Sequence, residues 1–188
     1  MIELIRKILK RNPPRDEIFP VYATITFLVY GWMVIHIFWK LPSWLNFLTT
    51  GEIGIVIAYS LANALMESIV VLAVVLILSF ILPSNLLRSK FILRGSILVY
   101  LSTFWVALFD ITFTWFVPSA REVLSFATAS ILISGLLLIL LRKVTIIGRF
   151  IVSFGDRLVV FLYIWLPLGV TGFLVVLTRL IILNLPRG

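Results

Sequence analysis

Asn63-Ala64-Leu65-Met66-Glu67 lies inside an apolar run from Ile53 to Leu82. About 30 residues at ~1.5 Å rise make a helix of ~45 Å, more than the ~30 Å of bilayer hydrocarbon, so the run crosses a membrane with tilt. Glu67 then falls near the membrane centre. A carboxylate there costs at least ~2.5 kcal/mol even on the most lenient insertion scale, so it must meet protein, meet water or be neutral.

The rest of the chain agrees with a membrane solvent. It has 188 residues, of which 62% are hydrophobic and only 13% charged, above the apolar share of a soluble domain. Four further apolar runs follow the same logic, giving an all-α, polytopic bundle of five transmembrane helices. The expected spans are 19–41, 53–82, 97–117, 123–141 and 158–184 within a single 19–184 bundle, with 185–188 a short outer tail. Residues 1–18 form a cytoplasmic segment: Ile2, Ile5, Ile8 and Leu9 alternate with Arg6, Lys7, Lys10 and Arg11 in the pattern of a surface-lying amphipathic helix. Asn12-Pro13-Pro14 ends it. The 86–94 connector and the 142–157 segment, where Ile146, Ile147, Phe150, Ile151 and Phe154 recur beside Lys143 and Arg149, are read as interfacial too. The first span is too long for a signal core and is read as retained.

Lys and Arg number five before span one, one in the next loop, three in the next, then one, then four, with Arg179 inside span five and Arg187 after it. The alternation places the amino terminus in the cytoplasm and the carboxyl terminus outside, across a cell membrane. The net charge of +8 is therefore assigned to loops facing anionic lipid headgroups, and no nucleic-acid partner is expected. Zero cysteines exclude disulfides, thiolate metal sites and cysteine nucleophiles.

Few residues carry chemistry. His36 and Arg179 lie near the outer ends of their spans, Asp110 a little deeper, and Asn63 and Glu67 toward the middle. Asn63 and Glu67 are four apart and share a helix face. That face is expected to meet the Thr103-Asp110-Thr114 stripe of span three and the Gly172–Arg179 side of span five, because polar groups in lipid are best satisfied by one another. Two arrangements follow. In one, Glu67, Asp110, Arg179 and His36 border an outward-facing cavity for a polar solute or a proton. In the other, Arg179 pairs with Asp110 while a neutral Glu67 bonds Asn63 or a partner helix and fixes assembly.

His36 sits among Trp32, Phe38 and Trp39, but one histidine cannot supply two axial ligands, and no cofactor is expected. One histidine and two acids on separate spans lack any metal-ligand spacing. No phosphate-cradling glycine loop, nucleophile elbow or paired-histidine helix is present, so no enzyme is expected. The reading is a non-enzymatic subunit or accessory protein with a membrane-protein partner or a homo-oligomeric one. A small solute or proton-coupled transporter using the polar cluster is the alternative.

Overall fold

The computed structural model describes residues 14–81, 91–115, 117–140 and 145–184. Among these the chain is helical with no strand: α1 (Arg15–Phe47), α2 (Thr50–Ile81), α3 (Phe91–Phe113), α4 (Ala120–Leu140) and α5 (Thr145–Asn184). All five are long and apolar enough to cross a membrane. The amphipathic segment before Pro14, the basic residues Arg88, Lys90, Arg142 and Lys143, and the tail 185–188 lie outside the described residues.

Helix starts follow local chemistry. α1 opens on the Pro14 carbonyl, which accepts from Glu17 N at 2.9 Å, with Asp16 and Glu17 in its first turn, where carboxylates suit the helix dipole. α2 and α4 open on reciprocal capping boxes. At α2, Thr49 N and Oγ1 donate to Glu52 Oε2 at 2.8 and 2.9 Å, and Glu52 N returns to Thr49 Oγ1 at 3.4 Å. Ser119 and Glu122 repeat the pattern at 2.7, 2.9 and 3.4 Å. Inside the helices, hydroxyls bond their own backbone, as in Ser60 to Val56 O at 2.9 Å and Ser68 to Leu65 O at 2.8 Å. A polar side chain satisfied this way is compatible with hydrocarbon.

Several boundaries differ from expectation. α1 runs through Pro42 to Phe47, since a proline removes a single amide donor and the remaining ladder holds. α3 begins at Phe91 rather than Ile97, and Phe91, Gly95 and Ser96 are buried, so this part of the basic connector is packed helix and not a surface-lying strip. The helix stops at Phe113, ahead of Pro118. The 142–157 segment and the fifth span share one helix of 40 residues from Thr145, because a lone Gly155 costs only ~1 kcal/mol against alanine and cannot break a long apolar helix.

The chain divides into two compact units. One comprises the described residues of Met1–Val21 and Val75–Asp156. In it Trp105 Nε1 donates to Ser134 Oγ at 2.9 Å, joining α3 to α4. Phe126 of α4 sits edge-on to Trp105, Phe109 and Phe113 at centroid distances of 5.6, 5.3 and 6.1 Å. Those three are four apart, so one stripe of α3 is committed to α4. Gly95 admits Val21 of α1, and Gly148 admits Leu93.

The other unit comprises Tyr22–Val74 and the described residues of Arg157–Gly188. α1 meets α5 along an ascending ladder: Ala23 with Leu158 and Leu162, Phe27 with Phe161 at 5.3 Å, and Tyr30 stacked on Trp165 at 5.1 Å. Both residue series rise together, so α1 and α5 run parallel. α2 runs against them, since Gly169 of α5 faces Leu65 while Gly172 faces Ala58, Leu61 and Ala62. At Gly172 a methyl would stand 2.8 Å from the Ala58 carbonyl oxygen and 2.7 Å from Leu61 Cβ. Only a bare Cα permits helices this close.

Candidate functional site

The glycine contact fixes which way α2 faces. Ala58, Ala62, Leu65 and Ser68 are buried, whereas Tyr59, Asn63, Met66, Glu67, Val70 and Val74 are exposed. At 100° per residue, Glu67 points about 180° away from Ala58 and about 140° from Ala62. The expectation that the Asn63–Glu67 face meets the Gly172–Arg179 side of α5 is therefore corrected at Gly172, which meets the Ala58–Ala62 face instead. Gly172 needs small neighbours for close approach, and the α2 face that offers them is Ala58–Ala62.

Glu67 thus lies near the middle of α2 on its outward side. Among the described residues it makes no hydrogen bond or ion pair, and neither does Asn63. Of the two partners considered for Glu67, Asn63 or a second helix, Asn63 is not bonded to it, because neighbouring polar side chains on an open helix face have nothing pressing them together.

Arg179 sits on the same side of this unit. Its guanidinium carbon lies 5.9 Å from the centroid of Tyr59, within cation–π range. Tyr59, Asn63 and Glu67 are successive residues of one i, i+4 row, so α2 carries a strip of aromatic ring, amide and carboxylate with the cation held at one end. Tyr59 was not among the residues singled out from sequence. Its spacing from Asn63 was legible, but its role depends on α5 bringing Arg179 across, which no local pattern encodes.

His36 is half-buried on α1. Its Nδ1 lies 3.0 Å from the Trp32 carbonyl. A carbonyl only accepts, so Nδ1 carries the proton in this contact. The ring is flanked by Trp32 at 4.7 Å and Trp39 at 6.3 Å.

Asp110 belongs to the other unit, exposed on α3 beside the Phe109 stripe. Its main-chain carbonyl accepts from Thr114 Oγ1. Of the five candidates, then, Asn63, Glu67, Arg179 and His36 fall in one unit and Asp110 in the other. Among the described residues no group of three or more histidines and acids is placed to hold a metal.

The capping carboxylate of α2 lies at the opposite extreme of environment. A 32-residue α2 is ~48 Å long against ~30 Å of hydrocarbon, so its first turn projects beyond the apolar region. There the Thr49 backbone amide, followed by the Thr49 hydroxyl, holds Glu52 below the usual carboxylate range.

Comparison with protein-family models, with curated proteins and with solved structures finds no match to this chain.

Proposed function

We propose that this chain is a non-enzymatic subunit or accessory protein of a membrane complex, and that the Tyr59–Asn63–Glu67 strip of α2 is the surface by which it joins that complex. The observation that carries the reading is the outward Glu67: a carboxylate near the middle of a highly apolar helix, exposed and without a hydrogen-bonding partner among the described residues. Facing lipid, it costs at least ~2.5 kcal/mol. Facing a second transmembrane helix, the same group gives a directed contact where apolar surface gives little, because lipid tails already solvate leucine. Within the unit formed by α1, α2 and α5, Glu67 stands on the side of α2 opposite the face that packs on α5, which favours a docking surface over a solute site built inside that unit.

The topology proposed with this reading puts five spans across a cell membrane, amino terminus in the cytoplasm and carboxyl terminus outside, basic segments against anionic headgroups. It is supported by the alternation of basic loops and by the parallel course of α1 and α5 against α2.

The test is native mass spectrometry of the protein extracted gently from its own membrane, wild type beside Glu67→Gln. The expected result is a discrete added protein mass on the wild type that falls at least several-fold on the variant, with an unchanged melting temperature. A small-molecule adduct that disappears in Glu67→Gln or Asp110→Asn would move the transporter reading to first place. A protein mass indifferent to Glu67 would remove the strip from the interface.

A further inference from the structure

We infer that the partner contributes a transmembrane helix bearing a lysine or arginine at the depth of Glu67, so that the contact is an intramembrane charge pair between unlike chains. This rests on the docking reading above and names what docks.

Charge complementarity selects the partner. The chain has its own cation on this side of the unit, but Arg179 is held over the Tyr59 ring, two helical turns from Glu67 along α2. Glu67 is left without an ion pair among the described residues. A second copy in the same orientation meets it about an axis along the membrane normal, which brings Glu67 to Glu67 at equal depth. Like charges in low dielectric repel, and the contact would then need a proton to form. A basic side chain needs none. An ammonium also has three donors and no acceptor, and the strip offers it two acceptors one turn apart, the Glu67 carboxylate and the Asn63 amide oxygen. Around them the exposed Met66, Val70 and Val74 supply apolar surface for the rest of a helix.

The full chain is reconstituted in phosphatidylcholine vesicles with a donor dye on a Leu45→Cys residue, the only thiol in an otherwise cysteine-free sequence. Three acceptor-labelled synthetic transmembrane peptides of leucine and alanine are added, differing at one central position: lysine, leucine or glutamate. The expected outcome is association with the lysine peptide at least tenfold stronger than with the leucine peptide. Glu67→Gln should remove most of that preference, Asn63→Leu a smaller part of it, and Glu67→Lys should transfer it to the glutamate peptide. Equal affinity for all three peptides, or a lysine preference that survives Glu67→Gln, overturns the charge-pair proposal. Self-association of the chain that depends on Glu67 and ignores the lysine peptide also overturns it, in favour of a second copy, while leaving the docking reading intact. The docking reading fails separately, when the native complex is indifferent to Glu67→Gln.

Discussion

Replacing Gly172 by alanine adds one methyl at a helix contact walled by backbone atoms, in the unit formed by α1, α2 and α5. The methyl would stand 2.7 Å from Leu61 Cβ and 2.8 Å from the Ala58 carbonyl oxygen, with Ala62 N at 3.2 Å. Two of these are backbone atoms, which cannot swing aside as a flexible side chain does, so α5 has to move off α2. Overpacking of this kind costs ~1–3 kcal/mol, and a clash against backbone belongs near the upper end. Alanine returns ~1 kcal/mol through its better helix propensity. The net expectation is a loss of about 2 kcal/mol, roughly a thirtyfold shift toward the unfolded state. Reversible denaturation in mixed detergent micelles, followed by circular dichroism, measures it. Gly31→Ala is the control, because a methyl there meets nothing within 4 Å; it should hold or gain stability. A Gly172→Ala protein as stable as the control would refute the close approach of α5 to Ala58–Ala62, and with it the assignment of the Glu67 face as outward.

In the other unit, Trp105→Phe and Ser134→Ala should each cost on the order of 1 kcal/mol, and their double-mutant cycle should give a coupling near 0.6 kcal/mol, the usual size of an interhelical hydrogen bond in a membrane protein; a coupling of zero would mean that the indole and the hydroxyl do not bond. Glu52 titrates below its ordinary value when folded, so its contribution is fully present above the unfolded carboxylate value and is lost as pH falls through the lowered one. The protection factor of the Thr49 cap amide, taken against the intrinsic exchange rate at each pH, should fall over that acid window in wild type; in Glu52→Gln the corresponding step should vanish, and a step that persists would locate the titrating group elsewhere.

The helical class and α2 itself were legible from hydropathy: the expected span 53–82 and the observed Thr50–Ile81 differ by a single turn at one end. The first turn was legible too, since Thr49-x-x-Glu52 and Ser119-x-x-Glu122 are capping boxes in plain sequence. The orientation of α2 was not. Its composition is apolar all round, so periodicity gives no inward side, and the polar pair Asn63–Glu67 draws the eye to the wrong one. What decides the question is shape: Ala58 and Ala62 make a shallow face, and Gly172 makes a matching one on α5, three helices further along the chain. Such a match depends on which helices meet, and spacing within one helix does not contain it. The merging of 145–157 with the fifth span had the same origin, because basic residues mark where a membrane surface lies but do not interrupt backbone hydrogen bonding.

The two faces of α2 make separable demands. Its Ala58–Ala62–Leu65 side is consumed by α5, and α5 in turn is held to α1 by the Phe27–Phe161 and Tyr30–Trp165 contacts. That packing is complete without any contribution from Asn63 or Glu67, neither of which makes a hydrogen bond among the described residues. Removing the Glu67 charge should therefore leave folding untouched or favour it, since a glutamine is cheaper than a carboxylate on an exposed membrane face. A residue that costs the isolated chain energy and returns nothing to its fold is explained only by something outside the fold. Stability and assembly should accordingly respond in opposite patterns, Gly172→Ala lowering the first and Glu67→Gln only the second. A Glu67→Gln chain that unfolds more easily than wild type would break this separation and return Glu67 to the fold.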